Sequence, residues 1–236
     1  AIELDPNIGL LCAANMQING NEEDLQRTMD RVLIGDGTDA ENAIVAYWNS
    51  LRDAGTRAHP PIGMLHLDPA RPRDAQRHEI DEMEPALGPL LKAWANHLET
   101  GPRGPAILLD LSPRLNEDQR SLVDAVIETT FPGIRRTWEY LSQGGGRIDR
   151  LSVWIGSLSS KDPSRCVRMG KKKIMATIEG KVAESELVSM SSPPPFGAHL
   201  TIVDPALVQS GLHEAWLDRA LPENAGHSWL KLEGRR

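Results

Sequence analysis

The sequence predicts an α/β fold with a mostly parallel sheet, on three observations. Short apolar runs alternate with longer segments of helical periodicity. One of them, Ala106-Ile107-Leu108-Leu109-Asp110-Leu111, is the kind of run expected of a strand covered on both faces. Turn residues such as Gly35 and Asp204-Pro205 punctuate the pattern. Crossover helices would then cover both faces of the sheet.

Residues 1–30 precede the first convincing strand and read as an N-terminal extension. Arg31 to Ile34 is a compact strand ending at Gly35, and Glu41 to Asp53 carries Ile44, Trp48 and Leu51 at helical spacing. Ile62 to Leu67 is the next strand. Glu79 to Leu98 offers the stripe Met83, Leu87, Leu90, Leu91, Trp94 and Leu98, with Pro85 and Pro89 at its start or breaking it. After the strand at 106–111, Asn116 to Thr130 is helical through Leu122, Val123, Val126 and Ile127. Gly144-Gly145-Gly146 leads into a strand over Arg147 to Ile155. Lys171 to Leu187 reads as a helix, with Ile174, Ile178 and Val182 four apart. Ser189 to Pro195 is a proline-rich loop, since consecutive prolines remove backbone donors. His199 to Val203 is a strand stopped by Asp204-Pro205, followed by a short helix around Gly211 to Leu221 and an extended piece at Ser228 to Leu232. Ligands of such sheets sit beyond the carboxyl ends of the strands, here after Ile34, Leu67, Leu111, Ile155 and Val203.

Composition removes several classes of function. The 236 residues carry a net charge of −7, which argues against a surface built to neutralise nucleic-acid phosphates. Cys12 and Cys166 are the only cysteines, with no CxxC and no paired Cys/His spacing, so neither a disulfide framework nor a structural metal site is expected. A reducing, intracellular compartment is the matching expectation. No apolar run approaches the roughly 20 residues of a membrane-spanning helix, and the first residues lack the basic region of a secretory signal. Two tyrosines, Tyr47 and Tyr140, are the only candidates for phenol chemistry.

The order of pieces resembles the short-chain dehydrogenase/reductase family over roughly residues 31–234. Gly197 to Leu212 is similar to that family's strand leading into its P-G-x-V-x-T segment. Phe131-Pro132 and Gly144-Gly145-Gly146-Arg147-Ile148 look like its helix with an internal proline and the glycine turn before the next strand. Lys172 to Glu186 looks like its K-x-x-x-x-x-L-x-x-x-L-A-x-E-L helix. The resemblance implies a Rossmann-like three-layer domain over 31–236, shortened around the second strand because only about one strand fits between the first helix and Asp68. It also implies subunit contacts through helices at 116–130 and 171–187, where Leu122, Val126, Ile174, Ile178 and Val182 pack between chains or within one.

The family's functional motifs are degenerate here. Its pyrophosphate turn, T-G-x-x-x-G-x-G, keeps Gly35 for the first glycine and has Asp39 and Glu41 where the others belong. Two carboxylates there would repel a diphosphate; acids in a first helical turn also complement the helix dipole, and the two readings coexist. Asp110-Leu111-Ser112-Pro113 replaces the family's Asn-Asn-Ala-Gly. Ser152 and Ser157 lie near the catalytic serine position, which falls most literally on Val153. Lys172 matches the catalytic lysine, but Arg168 stands at the tyrosine position four residues before it. A guanidinium stays protonated and cannot donate and recover the proton of hydride transfer.

Other candidates are weaker. Asp68 is either a ribose-gripping acid or a strand-ending turn. His66 with Asp68 and His199 with Asp204 are imaginable acid/base or metal pairs, and Trp154-Ile155-Gly156-Ser157-Leu158 holds one glycine of the two a nucleophile elbow needs. Lys171 to Lys173 is a solvated run or faces acidic groups on a partner or an anionic ligand. Trp216 and Trp229 suit an interface. The expected function is a catalytically inactive, short-chain-reductase-like subunit of a larger assembly, without cofactor or metal. The alternative is a divergent NAD- or NADP-dependent oxidoreductase reducing a carbonyl through Ser152 or Ser157 and Lys172, and a third reading is a module binding another small ligand at the strand ends.

Overall fold

The computed structural model describes residues 1–19, 32–50, 61–69, 83–184, 188–189, 196–222 and 225–231. These residues form two compact units. The first comprises Ala1–Leu65, Pro69–Gly101 and Asn116–Gly133; the second comprises His66–Asp68, Pro102–Leu115 and Ile134–Arg236.

In the first unit, strand β1 (Ile2–Glu3) pairs in parallel with β2 (Leu33–Ile34), and helix α1 (Pro6–Asn19) lies between them in the chain. The expected boundary after residue 30 is therefore bridged, because residues 2–3 share a ladder with 33–34. Asp5 starts α1 by accepting the Asn7 N–H at 2.8 Å, with Pro6 pre-set for the first turn. Helix α2 (Ala40–Ser50) follows β2. Helices α3 (Leu87–Ala95) and α4 (Glu117–Thr130) supply the main apolar packing, with Leu87, Leu90, Leu91 and Trp94 buried on one and Val123 and Ile127 on the other. The first set is the stripe read from the sequence; on the second helix, Leu122 of the expected stripe is exposed and Val126 half-buried, so only Val123 and Ile127 of it are buried. Asn116 and Gln119 form a reciprocal capping box: each side chain accepts the other's backbone N–H at 2.9 Å.

The second unit holds most of a six-stranded sheet in the order β3 (Leu65–Leu67), β4 (Ala106–Leu111), β6 (Arg150–Gly156), β5 (Arg136–Ser142), β7 (Ser164–Met169) and β8 (Ile174–Gly180). Ile107, Leu109, Leu151, Val153 and Ile155 form its fully buried centre. Helix α5 (Pro205–Gln209) packs on β5 and β7, and α6 (His213–Ala220) packs on β8. Strand β9 (Val188–Ser189) pairs in parallel with β10 (Leu230–Lys231).

The α/β class and the strands near 62–67, 106–111 and 147–155 agree with the sequence reading, but strand polarity does not. β4–β6, β5–β6 and β7–β8 pair antiparallel, and only β5–β7 is parallel among these ladders. The sheet is mixed because β5 and β6 are joined by a tight turn, Gln143 to Asp149, too short for a crossover helix. The helix expected over 171–187 is corrected to strand β8 and the residues after it. Ile174, Thr177 and Ile178 are β-branched, and pairing with β7 satisfies their backbone, so tertiary context overrides the four-residue spacing. The strand expected at 199–203 has no ladder among the described residues, and Leu200 and Ile202 are exposed. Its pattern alternates, but a strand forms only where an edge receives it. The remainder of the 171–187 and 189–195 segments, at 185–187 and 190–195, lies outside the described residues, as does Arg31.

Candidate functional site

The strongest concentration of polar chemistry in the second unit is a row that crosses the sheet. Asp110 on β4 is the register partner of Ser152 on β6, Ser152 of Glu139 on β5, Glu139 of Arg165 on β7, and Arg165 of Glu179 on β8. Partners in register project from the same face, so the row is a direct product of strand alignment. His66 on β3 extends it by one strand.

Each member is bonded within the row. Ser152 Oγ donates to Asp110 Oδ1 at 2.5 Å, and His66 Nε2 lies 2.9 Å from Asp110 Oδ2. Arg150 Nε stands 3.9 Å from Oδ1. Burial would push the Asp110 carboxyl up, but the hydrogen bonds from Ser152 and His66 and the Arg150 and His66 charges outweigh it and hold the group below the usual carboxylate range. Across the row, Arg165 Nη1 donates to Glu139 Oε2 at 3.0 Å and its Nε donates to Glu179 Oε1. Its guanidinium also lies 5.9 Å from the Trp154 ring centre. Burial opposes the charge of Arg165, and the two glutamates more than restore it.

The arrangement limits the chemistry. A serine nucleophile needs a base that takes its proton, commonly a histidine oriented by an acid. Here Ser152 and His66 bind opposite oxygens of one carboxylate, and an acid held below its usual range is a poor base. The row reads as a polar ladder, buried at Asp110 and Ser152 and more exposed toward its ends, that fixes strand register.

A second cluster surrounds Arg168 on the opposite face. Its Nη1 donates to Asp204 Oδ2 at 2.6 Å and to Ser142 Oγ at 3.2 Å, and Ser142 Oγ donates to the same Asp204 oxygen at 2.8 Å. Asp204 Oδ1 caps α5 by accepting the Ala206 N–H at 2.9 Å. Gly144, at φ +95°, leaves room for this: a side chain there would overlap the guanidinium. Arg168 thus ties β7 to the start of α5. The neighbouring Cys166 thiol is pushed up to about 11 by burial and the Asp204 charge, so it stays protonated and unreactive at neutral pH.

The expected catalytic residues are not assembled. Ser152 belongs to the polar row. Ser157 follows the end of β6, where its carbonyl accepts from Arg103 Nη2 at 2.8 Å. Lys172 sits in the β7–β8 turn, which Gly170 closes by donating its N–H to the Lys173 carbonyl at 2.8 Å. β6 and β7 run in opposite directions, so Ser157 and Lys172 lie at opposite ends of the sheet, roughly 30 Å apart by strand rise.

At the expected cofactor turn, Gly35 donates its N–H to the Glu3 carbonyl at 2.9 Å. Asp36 Oδ1 accepts from the Thr38 N–H and hydroxyl at 2.8 and 2.7 Å, which lowers its carboxyl. Asp39 Oδ1 accepts from the Asn42 N–H at 3.2 Å and Oδ2 from Asn42 Nδ2 at 2.6 Å. The N-terminus of α2 is occupied by its own carboxylate, while Glu41 is exposed in the first turn. Trp94 Nε1 donates to the Gly37 carbonyl at 2.8 Å and props this turn.

Asp68 is exposed just after β3, and His66 pairs with Asp110 rather than with Asp68. Asp204 pairs with Arg168 rather than His199. Trp229 packs edge-on against His213 and donates to Glu214 Oε1 at 2.6 Å. Among the described residues no group of three or more His, Cys, Asp or Glu could hold a metal, and no helix is long and apolar enough to cross a membrane. The polar row escaped the sequence reading because β5 and β7 were not recognised. The available signal was Thr137, Trp138 and Tyr140, all strand-formers. No family model, curated protein or solved structure matches the chain.

Proposed function

We propose that the chain is a non-catalytic structural or interaction subunit, whose pattern resembles the short-chain reductases without their chemistry. The observation that supports this is the placement of Ser157 and Lys172 at opposite ends of the sheet, with Arg168 committed to Asp204 and Ser142. A carbonyl reductase needs its serine, proton donor and lysine around one oxygen. Asp39 at the start of α2 adds to the reading, since the helix end that would receive a phosphate already holds a carboxylate. The mixed sheet weakens a Rossmann-like descent and leaves the subunit reading intact, because that reading rests on residues and not on ancestry.

Trp94 makes the test direct. Its indole is bonded to Gly37 in the turn a dinucleotide would occupy, so bound NADH or NADPH would quench it and emit by energy transfer. Titration with each nucleotide is expected to give no saturable signal in the micromolar range. Saturable transfer would sink the proposal and favour the divergent oxidoreductase.

A further inference from the structure

The sheet of the second unit ends in a concentration of positive charge. β5 and β7 run in parallel and finish side by side, Ser142 beside Arg168, and β6 and β8 begin at that same end. Arg147 in the β5–β6 turn, Arg150 at the start of β6, Arg168, and Lys171, Lys172 and Lys173 in the β7–β8 turn therefore share it. The arginines are committed, Arg168 to Asp204, Arg147 to Asp149 and Arg150 toward Asp110. The three lysines are exposed and have no carboxylate partner among the described residues. On a chain of net charge −7 this positive end is a local feature, opposite in sign to the whole.

The lysines lead directly into exposed apolar residues. Ile174 and Met175 open β8, and each is 60% exposed; Ala176 after them is exposed too. Successive strand residues face opposite sides, so the described residues leave the start of β8 uncovered on both faces. Ile174 is two residues from Ala176, the register partner of Arg168, and so lies on the face from which Arg168 reaches Asp204. Ile202, two residues before Asp204 and held near it by the chain, is 93% exposed.

We infer that this end of the β7–β8 hairpin docks on an anionic lipid bilayer, with Lys171 to Lys173 at the headgroups and Ile174 and Met175 at the acyl boundary. Clusters of roughly four to eight Lys and Arg mark such surfaces, and aliphatic side chains beside them add buried apolar area. The inference goes beyond the subunit reading by naming a surface, and it does not require the loss of catalysis.

Three features favour lipid over another polyanion. An ammonium is a compact, hydrated point charge that suits a diffuse headgroup layer, whereas a carboxylate or base edge is read by a guanidinium fork, and the arginines here are already paired. Residues 168–177 contain no aromatic ring on which a base could stack. Ile174 and Met175 gain nothing from a phosphodiester backbone, but they bury apolar surface where acyl chains begin.

Co-sedimentation of the 236-residue chain with phosphatidylcholine vesicles, with and without phosphatidylserine, tests this. Binding is expected only with phosphatidylserine, and high salt should reverse it, since exposed charges are screened over about 8 Å at physiological ionic strength. Each lysine near such a surface is worth roughly fivefold in affinity, so Lys171→Gln, Lys172→Gln and Lys173→Gln together should weaken binding roughly 100-fold. Ile174→Ser with Met175→Ser leaves the charge unchanged and should weaken it at least about fivefold. Lys161→Gln, an equally exposed lysine before β7 at the opposite end of the sheet, should have no effect. Equal binding to both kinds of vesicle, binding to neither, or a lysine or serine variant that binds like wild type would overturn the inference. So would binding to an RNA or duplex DNA oligonucleotide that the lysine variant abolishes and the serine variant leaves intact, in favour of a nucleic acid. A chain that binds phosphatidylserine vesicles as expected and also binds NADPH would overturn the non-catalytic reading and leave this one standing.

Discussion

At the scale of single residues, Asp110 is the side chain with most to lose. It accepts from Ser152 and His66 while buried, so its removal strands a hydroxyl that water does not reach. Asp110→Asn keeps an acceptor for Ser152 but removes the charge that faces His66 and Arg150, and should destabilise the chain by about 1–3 kcal/mol at neutral pH, read by urea unfolding. The pH dependence has a definite sign. A carboxyl held below its unfolded value of about 3.9 stabilises the fold above that pH, and the contribution disappears as pH falls through the folded value. The gap between wild type and Asp110→Asn should therefore narrow on acidification below about pH 4. A gap constant with pH would mean that packing, and not the charge, makes Asp110 matter. Arg168 belongs to the same scale. Its guanidinium is a structural tie between β7 and the start of α5.

At the scale of elements, the capping box of α4 explains why this helix was legible. Asn116 and Gln119 satisfy each other's backbone donors, Glu117 and Asp118 complement the helix dipole, and the apolar period buries Val123 and Ile127. Cap and dipole signals agree with the tertiary result; only Leu122, which reads as part of the same stripe, is exposed instead. Asn116→Ala should cost about 1 kcal/mol, measured by thermal or urea unfolding, and a change within about 0.3 kcal/mol would show that the end is held by other contacts. Strand β8 is the opposite case. Lys171 to Val182 has helical spacing and good helix-formers, yet Ile174 to Gly180 is strand β8 because β7 offers an edge. Helix α1 lies within the expected N-terminal extension and carries apolar residues around most of its circumference, so no single periodic stripe announces it.

At the scale of the molecule, stability should be graded across the sheet. β4, β6 and β5 have neighbours on both sides and centre on Ile107, Leu109, Val153 and Ile155, whereas β8 ends the sheet with its first four residues exposed. Hydrogen exchange should be slowest in Leu109, Val153 and Trp138 and faster in Ile174 to Thr177 by at least about 100-fold. Equal protection of β8 and β6 would mean that another surface covers the edge. The polar row runs through this gradient, from the firm pairing of Asp110 with Ser152 to the more exposed pairing of Arg165 with Glu179.

The α/β class, the segment Ala106–Leu111, the helix after Asn116 and the acidic start of α2 at Asp39 and Glu41 are all readable from local sequence, because each depends on neighbours within a few residues. So is the fact that no tyrosine precedes Lys172 by four positions. Strand polarity, the strand at 174–180 and the row that gathers Asp110, Ser152, Glu139, Arg165 and Glu179 depend instead on which strands pair. The physical reason is that a strand's backbone is satisfied by another strand. Which strand it meets, and in which direction, is settled by residues far away in the chain.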